Sequence, residues 1–232
     1  MSRMFSFVTH TWNPLGGECP HNCKGCWAKA FINRNKLMKY QGPYQLDAKQ
    51  LNKQFPDGSV VFVCDMLDLF AANVPMMAVQ AIMIAIKRQP KVTFLLLTRN
   101  PRYMWTMEIP ENCILGATIE TDINYPDLTK APAPELRIQA MRDMIQENPN
   151  HKRFICIEPI KAFSSKFADE VISIKPYAVA VGYDNYGNHF PEPTLEETNE
   201  LMTKLGLAGI IVYKKTLRAD KQIVVNKEKV QP

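Results

Sequence analysis

Short apolar runs alternate along the chain with longer segments in which apolar residues recur at helical spacing. The short runs are rich in β-branched and aromatic residues and almost continuously apolar, which is typical of parallel strands covered on both faces. They predict seven strands, at residues 5–11, 59–64, 92–97, 113–118, 153–157, 177–181 and 209–213. The longer segments predict four helices, at residues 27–38, 75–89, 134–147 and 195–205. The last helix has clear ends, because Thr194 and Glu197 form the pattern of a capping box and Gly206 follows the final turn.

The repeated strand–helix order predicts an α/β fold with a parallel sheet, curled into a full or partial TIM-like barrel of six to seven strands. An open, doubly wound sheet is the alternative arrangement of the same units. No linker long enough to separate domains interrupts the series, so we expect one domain over residues 1–232 with a polar C-terminal tail at 219–232. The longest irregular connection, residues 121–133, is rich in Pro and Asp and is expected to be a lid or a partner-binding loop.

Polar residues stand directly after most of the predicted strands. In a parallel barrel these positions gather at the mouth formed by the carboxyl ends of the strands, where active sites are built. Loop starts are polar in many proteins, so each residue by itself also has a purely structural explanation. Taken together they predict a functional rim, whose members are Asp65, Asp68, Thr98, Arg99, Glu120 and Glu158, followed by Lys214 and Lys215 after the last strand.

The composition is that of an ordinary globular protein, with 46% hydrophobic and 22% charged residues among 232. No apolar run approaches the roughly 20 residues that a membrane-spanning helix needs, and the first residues lack the pattern of a signal peptide. We therefore expect a cytoplasmic protein that does not act on a membrane. The net charge of +5 permits a polyanionic partner without requiring one.

Three of the six cysteines, Cys19, Cys23 and Cys26, lie within eight residues in a C-x3-C-x2-C arrangement. Disulfide frameworks belong to short secreted domains, so a metal centre is the better interpretation. Soft thiolate ligands select iron–sulfur clusters, zinc or copper(I). Structural zinc would need a fourth ligand, for which His21 is the nearest candidate. The other cysteines lie singly in apolar strands and are predicted to be buried in the core: Cys64, Cys113 and Cys156.

The cysteine triplet, its position after the first predicted strand and the strand–helix series resemble the radical S-adenosylmethionine (radical SAM) superfamily. Further stretches resemble a compact family from phages and prokaryotes that carries this signature and has no settled biochemical role. They read TWNPLGGECPHNCKGCWA, VVFVCDMLDLF, FLLLTRNP, LGATIE and ICIEPI, and the resemblance extends from about Trp12 to Lys215. One position departs from the superfamily, which commonly has an aromatic residue before the third cysteine, whereas this chain has Gly25 there and Trp27 just after Cys26.

The resemblance implies a [4Fe–4S] cluster held by Cys19, Cys23 and Cys26, with one iron left open to chelate S-adenosylmethionine. An electron donor of the flavodoxin or ferredoxin type would reduce the cluster, and cofactor cleavage would give a 5′-deoxyadenosyl radical that abstracts hydrogen from the substrate. Trp27 either stacks near the cofactor or packs the first helix onto the barrel. By position, the residues expected to bind the cofactor are Asp65, Asp68, Thr98, Arg99, Glu120, Glu158 and Trp27.

The resemblance leaves the substrate open. A nucleotide or a nucleic acid base is the first expectation, and a peptide or small metabolite comes next. Basic residues after the triplet and after the last strand would flank the mouth, and Tyr183, Tyr186 and Phe190 would then stack bases. The alternative from another functional class is a non-catalytic nucleic-acid-binding module, stapled by zinc or a structural iron–sulfur cluster at the same cysteines.

Overall fold

A sheet of seven parallel strands forms the centre of the fold in the computed structural model, which describes residues 4–218. The strands in chain order are β1 (His10–Trp12), β2 (Leu15–Gly16), β3 (Gln45–Leu46), β4 (Val60–Val63), β5 (Thr93–Thr98), β6 (Cys113–Thr118), β7 (Lys152–Ile157), β8 (Ala178–Val181) and β9 (Ile211–Lys214). The helices are α1 (Trp27–Asn35), α2 (Met76–Lys87), α3 (Pro134–Glu147), α4 (Phe167–Ser173) and α5 (Leu195–Leu207). The predicted polar tail, residues 219–232, lies outside the described residues.

The strand order confirms the predicted α/β fold. Of the two predicted arrangements, it agrees with the partial barrel and not with the doubly wound sheet. The order is β1-β4-β5-β6-β7-β8-β9, and every neighbouring pair is parallel. A doubly wound sheet would reverse its order at a switch point, and this sheet does not. Within residues 4–218, β1 and β9 are not paired with each other, so the sheet is open at one side. The short β2 and β3 form a separate antiparallel pair that the apolar pattern did not predict.

Most element boundaries agree with the prediction, and α3 agrees at both ends. The capping box of Thr194 and Glu197 is present at the start of α5. The predicted end at Gly206 is wrong, because α5 continues to Leu207 and Gly209 takes the left-handed conformation, with φ of 78°. The seven-residue α4 was not predicted, and it lacks a side-chain cap that would have marked its start.

The two faces of the sheet bury different sets of residues because side chains alternate along each strand. On the outer face, Leu96 and Ile155 pack with helix residues such as Ile82 and Met141 in the main core. The inner face, opposite the helices, has a smaller core of strand residues and the N-terminal segment: Phe5, Val8, Phe62, Leu95, Phe154, Cys156, Ala178 and Ala180. The first predicted strand is therefore shorter than expected, since Phe5 and Val8 pack across the inner face.

The same alternation places three residues of the predicted rim on the inner face. Arg99 lies two residues beyond Leu97, Glu158 two beyond Cys156, and Lys215 two beyond Tyr213. All of them follow the carboxyl ends of parallel strands, where a barrel gathers its functional residues. In the part of the chain that the structure describes, no helix is both long and apolar enough to span a bilayer.

Candidate active site

The cysteine triplet lies in the loop between β2 and α1, so it follows the second strand of the structure rather than the first. Cys26 is the N-cap of α1, and its Sγ accepts a hydrogen bond from the backbone N–H of Lys29 at 3.5 Å. Gly25 has φ of 68°, and a Cβ there would lie 2.5 Å from the Asn188 side chain. The loop therefore needs glycine at this position both for its backbone conformation and for its packing against residues 188–190.

The long connection at residues 121–133 packs against the cysteine loop. The N–H of Lys24 donates to the carbonyl of Leu128 at 2.8 Å, and the N–H of Lys130 donates to the carbonyl of His21 at 2.7 Å. Cys23 Sγ lies 3.1 Å from Thr129 Oγ1. These contacts hold the middle of the triplet loop in place. The connection therefore supports the cysteines structurally, and its expected role as a lid or partner-binding loop stays a prediction.

Asp68 links the cysteine loop to the end of β5 through its buried carboxylate. Its oxygens accept hydrogen bonds from His21 Nε2 at 2.9 Å, Thr98 Oγ1 at 2.6 Å, and the N–H groups of Arg99 at 2.7 Å and Phe70 at 2.9 Å. Although burial opposes ionisation, these donors hold the pKa of Asp68 below its ordinary value. These hydrogen bonds hold the cysteine loop against the end of β5, and the cofactor-binding role expected for Asp68 and Thr98 stays a prediction.

Glu120 is the centre of a second buried network. Its carboxylate accepts from Arg99, from Arg137 Nη1 at 2.8 Å and from Lys161 Nζ at 3.0 Å. Burial alone would raise the pKa of Glu120, but the three cations hold it well below the ordinary value. Burial also opposes the charged Arg99, yet the neighbouring Glu120 raises the pKa of that guanidinium.

This network has more positive than negative charge. Arg99 and Arg137 stay protonated at any physiological pH, so two guanidinium groups face one carboxylate whatever the state of Lys161. The Nε of Arg137 is buried and has no hydrogen-bond partner within residues 4–218. Cys23 lies within electrostatic range of both guanidinium groups. An anionic group bound near Cys23 would therefore be stabilised electrostatically.

The remaining carboxylates of the predicted rim do not join this network. Glu158 pairs with Lys215 across Gly182, where a Cβ would lie 2.9 Å from Lys215 Cβ and 3.1 Å from Glu158 Oε1. Asp65 accepts a hydrogen bond from Asn13 Nδ2 at 2.6 Å, and burial raises its pKa. Both carboxylates remain candidates for cofactor binding at the same edge of the sheet.

Two aromatic predictions have different outcomes. Trp27 packs in a small cluster with Ala28, Ile32 and Met66, which supports the packing role on α1. Tyr183 is buried, and its hydroxyl is 2.6 Å from Thr198 Oγ1, so its prediction as a base-stacking residue is wrong. Tyr183 lies just after β8, and its burial results from the contact of its hydroxyl with Thr194 and Thr198 at the start of α5, which no local pattern in the sequence indicates.

Phe190 and Tyr186 retain accessible ring surface. Tyr186 is 65% exposed, and Phe190 is half-buried beside Gly25 of the cysteine loop. The Lys161 ammonium lies 5.1 Å from the centre of the Phe190 ring. Phe190 also lines a cavity of about 530 Å³, together with polar residues that include Asp184, His189 and Arg218. The cavity is formed by the loop after β8 and Arg218, and Phe190 is its lining residue nearest to the cysteine loop.

Sequence reasoning missed Arg137, Lys161 and Thr129. Arg137 lies on α3 and reaches the end of β6, donating to the carbonyl of Thr118 at 2.7 Å. Lys161 follows the predicted rim residue Glu158 by only three positions, so a wider search of the rim would have found it. No local pattern distinguishes Arg137 or Thr129 from ordinary surface residues.

The donor set fits an iron–sulfur cluster better than a zinc ion. Within residues 4–218, no three His, Cys, Asp or Glu side chains converge closely enough to hold a single ion. A zinc site needs four donors at about 2.0–2.3 Å from one point, and the described side chains do not supply that arrangement. A cluster binds its cysteines through different iron atoms, so it accepts thiolates that stand farther apart. Burial raises the pKa of the Cys19 thiol to about 11, so metal binding there would displace a proton.

The fold is similar to solved structures of radical SAM proteins. A spore photoproduct lyase mutant with bound AdoMet and dinucleoside spore photoproduct matches with a TM-score of 0.60 and 9% identity, over 89% of this chain and 76% of that one. A second mutant of that lyase matches at 0.57 and 10% identity, over 88% and 76%. A radical SAM methyltransferase from Sphaerobacter thermophilus matches at 0.52 and 12% identity, over 93% and 68%. At these identities the likeness establishes the radical SAM type of fold.

The sequence itself identifies a family. The chain matches the family described as "Protein of unknown function (DUF5131)" over residues 3–165, and it belongs to that family. No curated protein matches the chain.

Proposed function

We propose that this protein is a radical SAM enzyme that binds a [4Fe–4S] cluster through Cys19, Cys23 and Cys26. The observation that carries the proposal is the location of three free, partly exposed thiols at the mouth of a partial barrel, beside a buried excess of positive charge. The resemblance of the triplet and the radical SAM type of fold support it independently. When bound and reduced, the cluster would supply the electron that cleaves S-adenosylmethionine into methionine and the 5′-deoxyadenosyl radical, which takes hydrogen from the substrate.

The residues of this chain have distinct parts in the proposal. Asp68 and Thr129 position the loop that presents the thiolates. The arginines around Glu120 stabilise negative charge near Cys23, and Arg99 has the planar donor geometry suited to the cofactor carboxylate. Asp65 and Glu158 are proposed to contact the amino and hydroxyl groups of the cofactor. Phe5 packs against Phe62 and Phe154 in the small core of the inner face and excludes water there.

We further propose a nucleotide or a nucleic acid base as the substrate class. The cavity beside Phe190 has a volume of about 530 Å³, which is in the usual range for small-molecule sites. Its lining combines one aromatic ring with acidic, basic and amide groups, a combination that stacks and hydrogen-bonds a base. Calorimetry with nucleosides tests this proposal, and affinity that is equal in the wild type and in Phe190→Ala would contradict it.

Anaerobic reconstitution tests the enzyme class. The protein is loaded with iron and sulfide, reduced with dithionite and given S-adenosylmethionine, and 5′-deoxyadenosine is measured by chromatography. We expect slow formation of 5′-deoxyadenosine by the wild type and none by Cys23→Ala. Cys113→Ala is the matched control, because Cys113 is buried in the core away from the triplet.

Three results would separate the alternatives. Full iron content in Cys23→Ala would refute the assignment of the triplet. A site that binds zinc and does not bind iron would support the alternative, a non-catalytic nucleic-acid-binding module with a structural metal. A cluster that forms and binds S-adenosylmethionine without cleaving it would show that a substrate or partner is needed before the reaction starts.

A further inference from the structure

The cysteine loop and the residues that follow it form a basic segment of the chain. Residues 19–46 contain five basic residues and no acidic one, namely Lys24, Lys29, Arg34, Lys36 and Lys39. These residues give the cysteine loop and the segment that follows it a local positive charge.

Part of this charge surrounds a cavity of about 340 Å³ at the cysteine loop. Its lining includes Cys23, the three exposed lysines Lys24, Lys29 and Lys130, and one acidic residue, Asp127. We call this feature the lysine cavity. None of its lysines forms a salt bridge with a described residue, and Lys29 Nζ donates only to the neutral Asn22 side chain, at 2.8 Å.

The cations of the inner face, unlike the lysines of the cavity, are paired with carboxylates. Arg99, Arg137 and Lys161 all donate to Glu120, and Lys215 donates to Glu158. The lysine cavity presents exposed cations that have no salt-bridge partner among residues 4–218, so an acidic macromolecule is attracted there more strongly than to the paired cations of the inner face. The attraction acts where Cys23, a proposed cluster ligand, forms part of the surface.

We propose that the lysine cavity is the docking surface for an acidic one-electron carrier protein with an iron–sulfur or flavin centre. This proposal rests on the proposed function, which requires a reductant. One electron would leave the carrier, oxidising it by one unit, and reduce the centre held by the triplet by one unit, with no bond formed or broken. Docking against Cys23 gives the electron a short path and leaves the inner face free for cofactor and substrate.

Nucleic acid is the other acidic partner to consider, and the lining of the cavity disfavours it. Proteins that bind single strands combine basic grooves with aromatic rings on which the bases stack. No aromatic side chain lines the lysine cavity. Surface charge without a stacking platform is the usual basis of fast, salt-sensitive association between proteins.

Charge reversal with a matched control tests the proposal. The double variant Lys24→Glu, Lys130→Glu changes the cavity, and Lys175→Glu, Lys204→Glu makes the same change in charge at exposed positions at the opposite end of the fold. Binding of an acidic flavodoxin to the reconstituted protein is measured by surface plasmon resonance at low and high salt. We expect the cavity variant to associate about tenfold more slowly, or slower still, at low salt, and the control to behave like the wild type.

The outcomes also separate this proposal from the one on which it rests. If both double variants bind flavodoxin equally well while the wild type forms a cluster and cleaves S-adenosylmethionine, the docking surface is wrong and the enzyme class stands. If no cluster forms in the wild type, both proposals fail. If the cavity variant loses affinity for a single-stranded oligonucleotide and keeps its affinity for flavodoxin, the surface binds nucleic acid and the docking proposal is overturned.

Discussion

Replacing Glu120 by Gln is expected to destabilise the fold strongly, because it leaves two or three buried cations without their counter-ion. Arg137 Nη1 and Lys161 Nζ lie 2.8 and 3.0 Å from the carboxylate. At an effective dielectric constant near 20, each such pair has a gross attraction of about 6 kcal/mol. Desolvation offsets most of this in the native protein, but removal of one partner from a buried pair typically costs about 3–5 kcal/mol.

The individual cations respond differently to the loss of Glu120. Burial already lowers the pKa of Lys161, so its ammonium group can release a proton and relieve part of the repulsion. Arg99 and Arg137 cannot relieve the repulsion in this way, because a guanidinium group does not lose its proton in a protein. We therefore expect the free energy of unfolding at pH 7 to fall by about 3–5 kcal/mol in Glu120→Gln.

The pH dependence provides a second check. The folded-state pKa of Glu120 is held well below its ordinary value, so the unfolded chain binds the proton more readily than the folded one. The stabilisation is complete above the unfolded pKa of about 4.3 and is lost as the pH falls toward the folded pKa. The part of the stability difference that comes from the ionisation of Glu120 should therefore be constant near neutral pH and shrink below about pH 4.

Urea unfolding followed by circular dichroism measures this effect. Glu170→Gln is the matched control, since its carboxylate pairs with Arg142 and both side chains are about one third exposed. Partly exposed pairs contribute about 0–1 kcal/mol, so the control should lose no more than that. If Glu120→Gln loses no more stability than Glu170→Gln, the electrostatic account of the buried network is wrong.

Three further predictions concern single side chains. Arg99→Ala should weaken S-adenosylmethionine binding in calorimetry while leaving the cluster absorbance unchanged, and an unchanged affinity would remove Arg99 from the cofactor site. Gly182→Ala should lower the free energy of unfolding by about 1–3 kcal/mol, because the new Cβ meets Lys215 at 2.9 Å, and wild-type stability would show that the Glu158–Lys215 pair moves aside easily. Thr194→Ala should lower the melting temperature by removing the capping box of α5, at about 1 kcal/mol, and no shift would mean that the cap contributes nothing.

Periodicity alone predicted most of the fold because parallel strands and amphipathic helices have distinct apolar spacings. β6 and α3 agree with the prediction at both ends, since each is bounded by a clear change of pattern. β2 and β3 are only two residues long and were missed, because so short a pair has no periodicity. The N-terminal segment was predicted as strand from its apolar residues, but Phe5 and Val8 contact the inner face instead of a neighbouring strand.

The sequence by itself determined the chemistry-bearing groups and the edge of the sheet where they lie. The spacing of the cysteines is local, and the position of Arg99, Glu120 and Glu158 after parallel strands follows from alternation and chain direction. Only the tertiary structure decided how these groups are paired. The partners of Glu120 come from β5, α3 and the loop after β7, and the buried Asp68 joins a histidine 47 residues away along the chain. Contacts of this kind depend on packing between distant segments, which leaves no periodic trace in the residues that make them.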